Sequence, residues 1–168
     1  SWRHVYDDNE RIIVVATSLD GGKTWSKPVK VTKTGWKING CAHSGPAMKY
    51  VGGKLFVSWY TGANGKASLK FAHSADNGKT YQVAKDINGL VLDANHPDIT
   101  VIGKEAWVIF QGRDPILEGG WGRDKAWLVK VSSDVNISSP SPLPSTSKGV
   151  AYPYLFKGNG GRVYAMWT

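Results

Sequence analysis

Two copies of one short pattern, Ser18-Leu19-Asp20-Gly21-Gly22-Lys23-Thr24-Trp25 and Ser74-Ala75-Asp76-Asn77-Gly78-Lys79-Thr80-Tyr81, restrict what this chain can fold into more than any other feature. Both read Ser-x-Asp-x-Gly-x-Thr-aromatic. Each follows an apolar or alternating run, residues 11–17 and 68–73, and precedes a second extended segment, which is the position of a hairpin connection. The residue types suit that place. The Asp carboxylate accepts bonds from backbone N–H groups just ahead of it, glycine takes a positive φ, and the closing aromatic is expected to pack under the turn.

A second repeat runs in step with the first. Three segments open alike: Gly45-Pro46-Ala47-Met48, His96-Pro97-Asp98-Ile99 and Tyr152-Pro153-Tyr154-Leu155. Proline is tolerated as the first residue of a strand, and the residue before it, His96 for one, is expected to be extended. A tight turn follows each opening, at 52–54, 103–105 and 158–161, and then a strand with aromatic residues over 55–60, 106–111 and 162–168. The glycine-rich run at 158–161 has neither the spacing nor the following helix of a phosphate loop, so it reads as a hairpin turn. Third strands fall at 11–17, 68–73 and 125–131, and the last runs into Ser132-Ser133-Asp134-Val135-Asn136, an eroded copy of the motif without its glycine. Fourth strands fall at 29–32, 81–86 and 141–143. No window carries a helical period, so the chain is all-β, with about twelve strands.

The repeated motif resembles the Asp box, or BNR repeat, of the sialidase-like β-propellers, where it joins the third and fourth strands of a blade on the face opposite the active site. The matching positions are Ser18, Asp20, Gly22, Thr24 and Trp25, and Ser74, Asp76, Gly78, Thr80 and Tyr81. Residues 36–46 are also similar to a stretch found in bacterial sialidase-like propellers. The resemblance implies propeller blades of four strands each. The chain then opens with a third and fourth strand, runs through two complete blades and closes with a first and second strand. This reads as a single half-propeller domain over 1–168, with blade seams near 33–45, 87–97 and 140–152 and the first blade split between the termini. About three blades are half of a six-bladed ring, and rings close with about four to eight. Either the chain is a piece of a longer protein, or it forms a homodimer in which strand 162–168 of one copy pairs beside strand 11–17 of the other. The complementarity of the ends favours the homodimer.

Composition narrows the partners. A chain of 168 residues with 41% hydrophobic content and no long apolar run is expected to be one globular domain with no membrane partner. No secretory leader pattern opens it, which leaves the cytoplasm or secretion after processing. Cys41 is the sole cysteine and excludes an intrachain disulfide. The net charge of +8 favours anionic partners, although most of the 21 basic residues are lysines dispersed along the chain and read as solvated faces. Without a basic helix or a recognised module, nucleic acid is disfavoured. Cys41, His43 and His96 lack the spacing of a metal site, and neither metal nor cofactor is expected.

In blades of this kind the connections from fourth to first strand and from second to third strand ring the mouth of the central channel. Here they are 33–44, 88–96, 145–152, 61–67 and 112–124, with 1–10 at the seam. The ligand-binding candidates there are Arg3, Trp36, His43, His96, Asp98, Arg113, Asp114, Trp121, Arg123 and Tyr152. Guanidinium forks grip carboxylates and phosphates at two points, and flat aromatic rings offer stacking surfaces. The long connection 112–124 makes Trp121 the first ring to consider, while Trp59, Trp107 and Trp167 sit at core positions. Sialidases use three arginines, a tyrosine–glutamate nucleophile pair and an aspartate acid/base. The resemblance offers Arg3, Arg113 and Arg123 for the arginines, Asp98 or Asp114 for the carboxylate, and Tyr152 or Tyr154 for the phenol; no Arg-Ile-Pro motif occurs. Catalysis is therefore left open. The expected function is binding of a glycan or other anionic ligand at the loop face, with exo-acting glycoside hydrolysis of the sialidase type and a non-enzymatic interaction scaffold as the alternatives.

Overall fold

The computed structural model describes residues 1–51, 53–83, 86–114, 122–132, 134–144 and 149–168. Their β-branched and aromatic runs form fourteen strands among the described residues. The first sheet holds β1 (Trp2–Val5), β2 (Glu10–Val15) and β3 (Val29–Lys30) in that order, with β4 (Trp36–Lys37) pairing the start of β2. The second holds β5 (Ala47–Val51), β6 (Lys54–Thr61), β7 (Ser68–Ser74) and β8 (Gln82–Val83), and the third β9 (Leu92–Ile102), β10 (Glu105–Arg113), β11 (Asp124–Val131) and β12 (Ser141–Pro142). A two-stranded sheet of β13 (Tyr154–Lys157) and β14 (Val163–Met166) closes the chain. Every pairing is antiparallel, and in the second and third sheets sequence neighbours are sheet neighbours, so these are the two complete four-strand meanders expected from the repeats. No described helix is long and apolar enough to cross a membrane.

The core lies between the sheets, and strand alternation puts it there. Along β6, Leu55, Val57 and Trp59 face the first sheet and pack with Ile13, Val15 and Val31. Phe56 points the other way and joins Leu69 and Phe71 against Ile99, Val101, Val108, Phe110 and Trp127 of the third sheet. Beyond it, Ile109 and Ala126 pack with Val150 and Leu155, and half-buried Trp167 rests on that cluster. Middle sheets are thus apolar on both faces, and full burial of one ring such as Phe71 contributes about 1.5–3 kcal/mol.

Both motif copies connect a third strand to a fourth. In the first, the Asp20 carboxylate accepts the Thr24 amide at 2.9 Å and the Thr24 hydroxyl at 2.6 Å, while the Ser18 hydroxyl accepts the Gly22 amide at 2.8 Å. In the second, Asp76 accepts the same groups of Thr80 at 2.9 and 2.6 Å, and Ser74 accepts the Gly78 amide at 2.9 Å. Gly22 and Gly78 take φ of 91° and 84°, where a side chain is strained. Segment 132–136 keeps part of the pattern, with the Asn136 amide on the Ser132 hydroxyl at 3.1 Å. Trp25 departs from expectation: it bonds the Gly22 carbonyl through Nε1 at 3.2 Å yet stays 64% exposed, whereas Tyr81 of the second copy packs against the core.

Two further expectations are corrected. Residues 1–10 do not form a seam loop, because β1 pairs along β2 from Trp2 opposite Val14 to Val5 opposite Arg11. The edge of β2 on which strand 162–168 of a second copy was to pair is therefore occupied, and the ends no longer complement each other two strands to two. His96, expected to be extended before Pro97, has φ of 48°.

Candidate functional site

Three proline-containing segments, two at strand openings and one within β9, meet at one cleft. Ser44, Gly45 and Pro46 enter the second sheet, His96, Pro97 and Asp98 lie within the third, and Tyr152, Pro153 and Tyr154 enter the last; together they line a cavity of about 310 Å³. Pro46 and Pro153 directly precede β5 and β13, whereas Pro97, expected as a strand's first residue, is the sixth residue of β9; all three stand on edge strands, where a missing amide breaks no ladder bond. The buried prolines Pro97 and Pro153 turn their neighbours outward, and Tyr152 and Tyr154 are 65% and 50% exposed.

The openings are tied to one another. The Ser44 side chain, buried in the structure, accepts the His96 amide at 3.0 Å across the two sheets. Gln111 accepts the Tyr152 amide at 2.9 Å, and Asp98 accepts the Leu155 amide at 2.7 Å. The His96 and Tyr152 rings meet edge to face with centroids 4.6 Å apart. Both residues hold left-handed backbone, φ 48° and 51°, which costs of order 1–3 kcal/mol each and persists only where the surroundings enforce it. The register of β9 against β10 shifts between Ile109 and Gln111 and again between Gln111 and Arg113, so β9 is bent where it carries Asp93 and His96 into the mouth.

The electrostatics of the cleft are unusual for surface groups. Burial pushes the Asp98 carboxyl above its ordinary range, against the opposing bonds from the Leu155 and Ile99 amides. Burial, and after it the charge of His43, pulls the His96 imidazole below its ordinary value. Burial thus disfavours the charged form of both groups, while the Asp98 carboxylate accepts the Leu155 amide.

The other sequence candidates distribute elsewhere. His43 is exposed beside this cleft. Arg3 and Trp36 belong to a neighbouring groove: Arg3 Nη2 donates to the carbonyls of Tyr60 at 2.6 Å and Ser44 at 3.1 Å, and its guanidinium centre lies 5.8 Å from the Trp36 ring. Arg113 pairs with Asp93 and Asp114 with Lys125. Arg123 is exposed just before β11. Trp121 lies outside the described residues. Arg3 and Arg113, assigned to one arginine cluster, are thus committed to different partners, and the arginine beside Arg3 is Arg11. Among the described residues no group of three His, Cys, Asp or Glu side chains is placed to hold a metal ion.

Ser44, Gln111 and Arg11 escape a reading of the sequence, and Asp93, which falls on the 88–96 connection, does so only in its pairing with Arg113. Their roles depend on the bent register of β9 and on the pairing of β1. Of the first three, only Ser44 carried a signal, standing directly before the first Gly-Pro opening.

With this geometry in place, comparison with solved structures defines the class. A protein of unknown function from Dyadobacter fermentans aligns over 92% of this chain and 43% of its own, at 16% identity and a TM-score of 0.61. The NanB sialidase of Streptococcus pneumoniae aligns over 96% of this chain and 24% of its own, at 17% identity and a TM-score of 0.58. The GH43 protein BlXynB of Bacillus licheniformis aligns over 73% of this chain and 26% of its own, at 18% identity and a TM-score of 0.52. The chain has a β-propeller fold of the kind shared by sialidases and GH43 glycosidases. It spans less than half the length of each of these three proteins. No protein-family model matches the chain, and no curated sequence does.

Proposed function

We propose that this propeller unit binds a glycan or a related anionic ligand at the cleft formed by its three proline-containing segments. The observation that carries the reading is the convergence of Ser44, His96, Asp98, Tyr152 and Tyr154 on one cavity, with His96 and Tyr152 held in left-handed backbone. Backbone kept in sparsely populated conformations at a cleft, with exposed rings and a half-buried carboxyl beside it, fits a site preorganised for a ligand. The tyrosines offer flat faces for a sugar ring; Asp98 and His96 offer directional bonds to its hydroxyl groups. The solved propellers of sialidase and GH43 type are consistent with a carbohydrate ligand.

A second reading, exo-acting hydrolysis of the sialidase type, is favoured by one observation. The Asp98 carboxyl is held above its ordinary range by burial, as a general acid requires. A glycan array run beside a fluorogenic sialoside assay separates the two. Binding without turnover supports the first reading, and turnover lost in Asp98→Asn supports the second. Tyr152→Asn keeps a residue that tolerates positive φ while deleting the ring, and it is expected to weaken glycan binding about tenfold, roughly 1.4 kcal/mol. No glycan bound by the unaltered chain, together with no turnover, contradicts both and leaves a protein-interaction scaffold.

A further inference from the structure

The motif turn is built twice with the same hydrogen bonds but with different side chains. Position for position, Leu19 stands where the second copy has Ala75, and Trp25 where it has Tyr81. Tyr81 packs against the cluster of Ile13, Val15, Val31 and Leu55. Leu19 and Trp25 are instead 94% and 64% exposed. The Trp25 ring is nonetheless held in place, because its Nε1–H donates to the Gly22 carbonyl at 3.2 Å. A positioned but uncovered ring beside an uncovered leucine marks a contact site for another molecule.

Strand register supplies the facing wall. Met48 pairs opposite Val57 and Tyr50 opposite Leu55, so all four side chains share the face of the second sheet that packs on the first. Leu55 and Val57 are buried there, but Met48 and Tyr50 stay 37% and 55% exposed. The Tyr50 ring is fixed too, its hydroxyl donating to Asn77 Oδ1 at 2.9 Å. Leu19, Trp25, Met48 and Tyr50, with buried Val15 and Leu55, enclose a cavity of about 540 Å³ that shares no lining residue with the proline-containing cleft. Small-molecule sites have this character, mainly apolar and roughly 300–1,000 Å³ in volume. The charges beside it are basic. Lys23 lies two residues before Trp25 and Lys79 two residues after Asn77, and both are exposed. Neither has a carboxylate partner among the described residues. The acids of the two turns are engaged within them: Asp20 accepts the Ser18 hydroxyl and the amide and hydroxyl of Thr24, and Asp76 accepts the same groups of Ser74 and Thr80. An apolar cavity flanked by unpaired cations is complementary to an apolar body with one acidic head.

We propose that this cavity on the motif-turn side is a second ligand site, taking a free anionic amphiphile of the medium-chain carboxylic acid class. The chain lies against Leu19, Trp25, Met48 and Tyr50, and the carboxylate lies toward Lys23 and Lys79. Chain burial supplies most of the affinity, about fourfold for each methylene removed from water. The head contributes less, since an ion pair with an exposed lysine is weakened by solvent. A concave site of this size accommodates a dissolved molecule, whereas a flat apolar face would suit a lipid surface. The site is independent of the glycan reading, which can fail without affecting it.

The test titrates the unaltered chain at neutral pH with sodium hexanoate, octanoate and decanoate and with 1-octanol, following backbone amides and the Trp25 Nε1–H by NMR. Saturable shifts centred on Leu19, Trp25, Met48 and Tyr50 are expected, with affinity rising about 15-fold for each two carbons added. Lys23→Gln is expected to weaken octanoate about threefold and to leave 1-octanol unchanged. Trp25→Ser is expected to weaken decanoate at least about tenfold, and Leu90→Ser, at an exposed leucine outside the cavity, to leave it unchanged. Affinity that does not depend on chain length, shifts that never saturate, or equal decanoate binding by a folded Trp25→Ser variant overturns the proposal. Shifts at these residues that follow protein concentration and not decanoate give the cavity to a second copy and also overturn it. Pelleting with phosphatidylglycerol vesicles without saturable decanoate binding gives it to a lipid surface, with the same consequence. Should Trp25→Ser fail to fold, Leu19→Ser and the chain-length series on the unaltered chain decide the matter by the same criteria.

Discussion

At the scale of single residues, the two motif copies show how one pattern has different consequences in different surroundings. Ser74 is 2% exposed and its hydroxyl is the acceptor for the Gly78 amide, while Ser18 makes the same bond at an open turn. Ser74→Ala leaves a buried donor unsatisfied and is expected to destabilise the fold by about 1–3 kcal/mol in chemical denaturation, with Ser18→Ala clearly milder. The acidic members of the motif set the acid limit. The Thr24 hydroxyl and amide, then the Ser18 hydroxyl, hold the Asp20 carboxyl down to about 2, and the corresponding bonds from Thr80 and Ser74 depress Asp76 further. A folded-state pKa below the unfolded value near 3.9 means that the contribution is complete above that pH and is lost as pH falls through about 2. Melting temperature is therefore expected to drop between pH 4 and pH 2, and Asp20→Asn to flatten part of that drop.

At the scale of elements, close approach and bent register place the side chains that matter. A Cβ built on Gly62 would stand 2.6 Å from the Trp36 ring, so the connection after β6 must pass beneath that ring as bare backbone. Gly62→Ala is expected to displace Trp36, to shift tryptophan emission and to cost about 1–3 kcal/mol, as overpacking does. These placements also divide what the residues alone disclose from what they do not. Strands β5 to β7, β10, β11 and the second half of β9 are legible because alternating apolar residues and turn glycines mark them, whereas Leu92–His96, read as part of a connection, forms the first half of β9. Trp2–Val5 is not legible, since Trp-Arg-His-Val has no such alternation, and the Asp7-Asp8-Asn9 turn that returns it to β2, with Asn9 at φ 61°, carries no glycine. Of the candidate site, His96, Asp98 and Tyr152 can be found from the repeated Xaa-Pro openings. The partnership of Arg113 with Asp93, and of Arg3 with Arg11, arises from register, which a list of charged loop residues does not contain.

At the scale of the whole molecule, two complete blades and two partial ones do not close a ring, since closure takes about four to eight. The last sheet has only two strands. Tyr154, Phe156, Tyr164 and Met166 are all exposed, and the Phe156 and Tyr164 rings stack 5.0 Å apart on an uncovered face. With β1 already on the edge of β2, the strand exchange with a second copy that the ends first implied finds no free edge there, and we propose that a second copy covers the face by another contact. Sedimentation is expected to show association above the 18.3 kDa of one chain, weakened by Phe156→Ser; a strict monomer at every concentration contradicts a second copy as the cover. Where the ligand sits is tested most directly by amide chemical-shift mapping with a glycan that the chain binds. The largest shifts are expected at Ser44, His96, Asp98 and Tyr154, around the cleft. Shifts centred on Trp25, Tyr50 and Asn77, beside the motif turns, would contradict this placement.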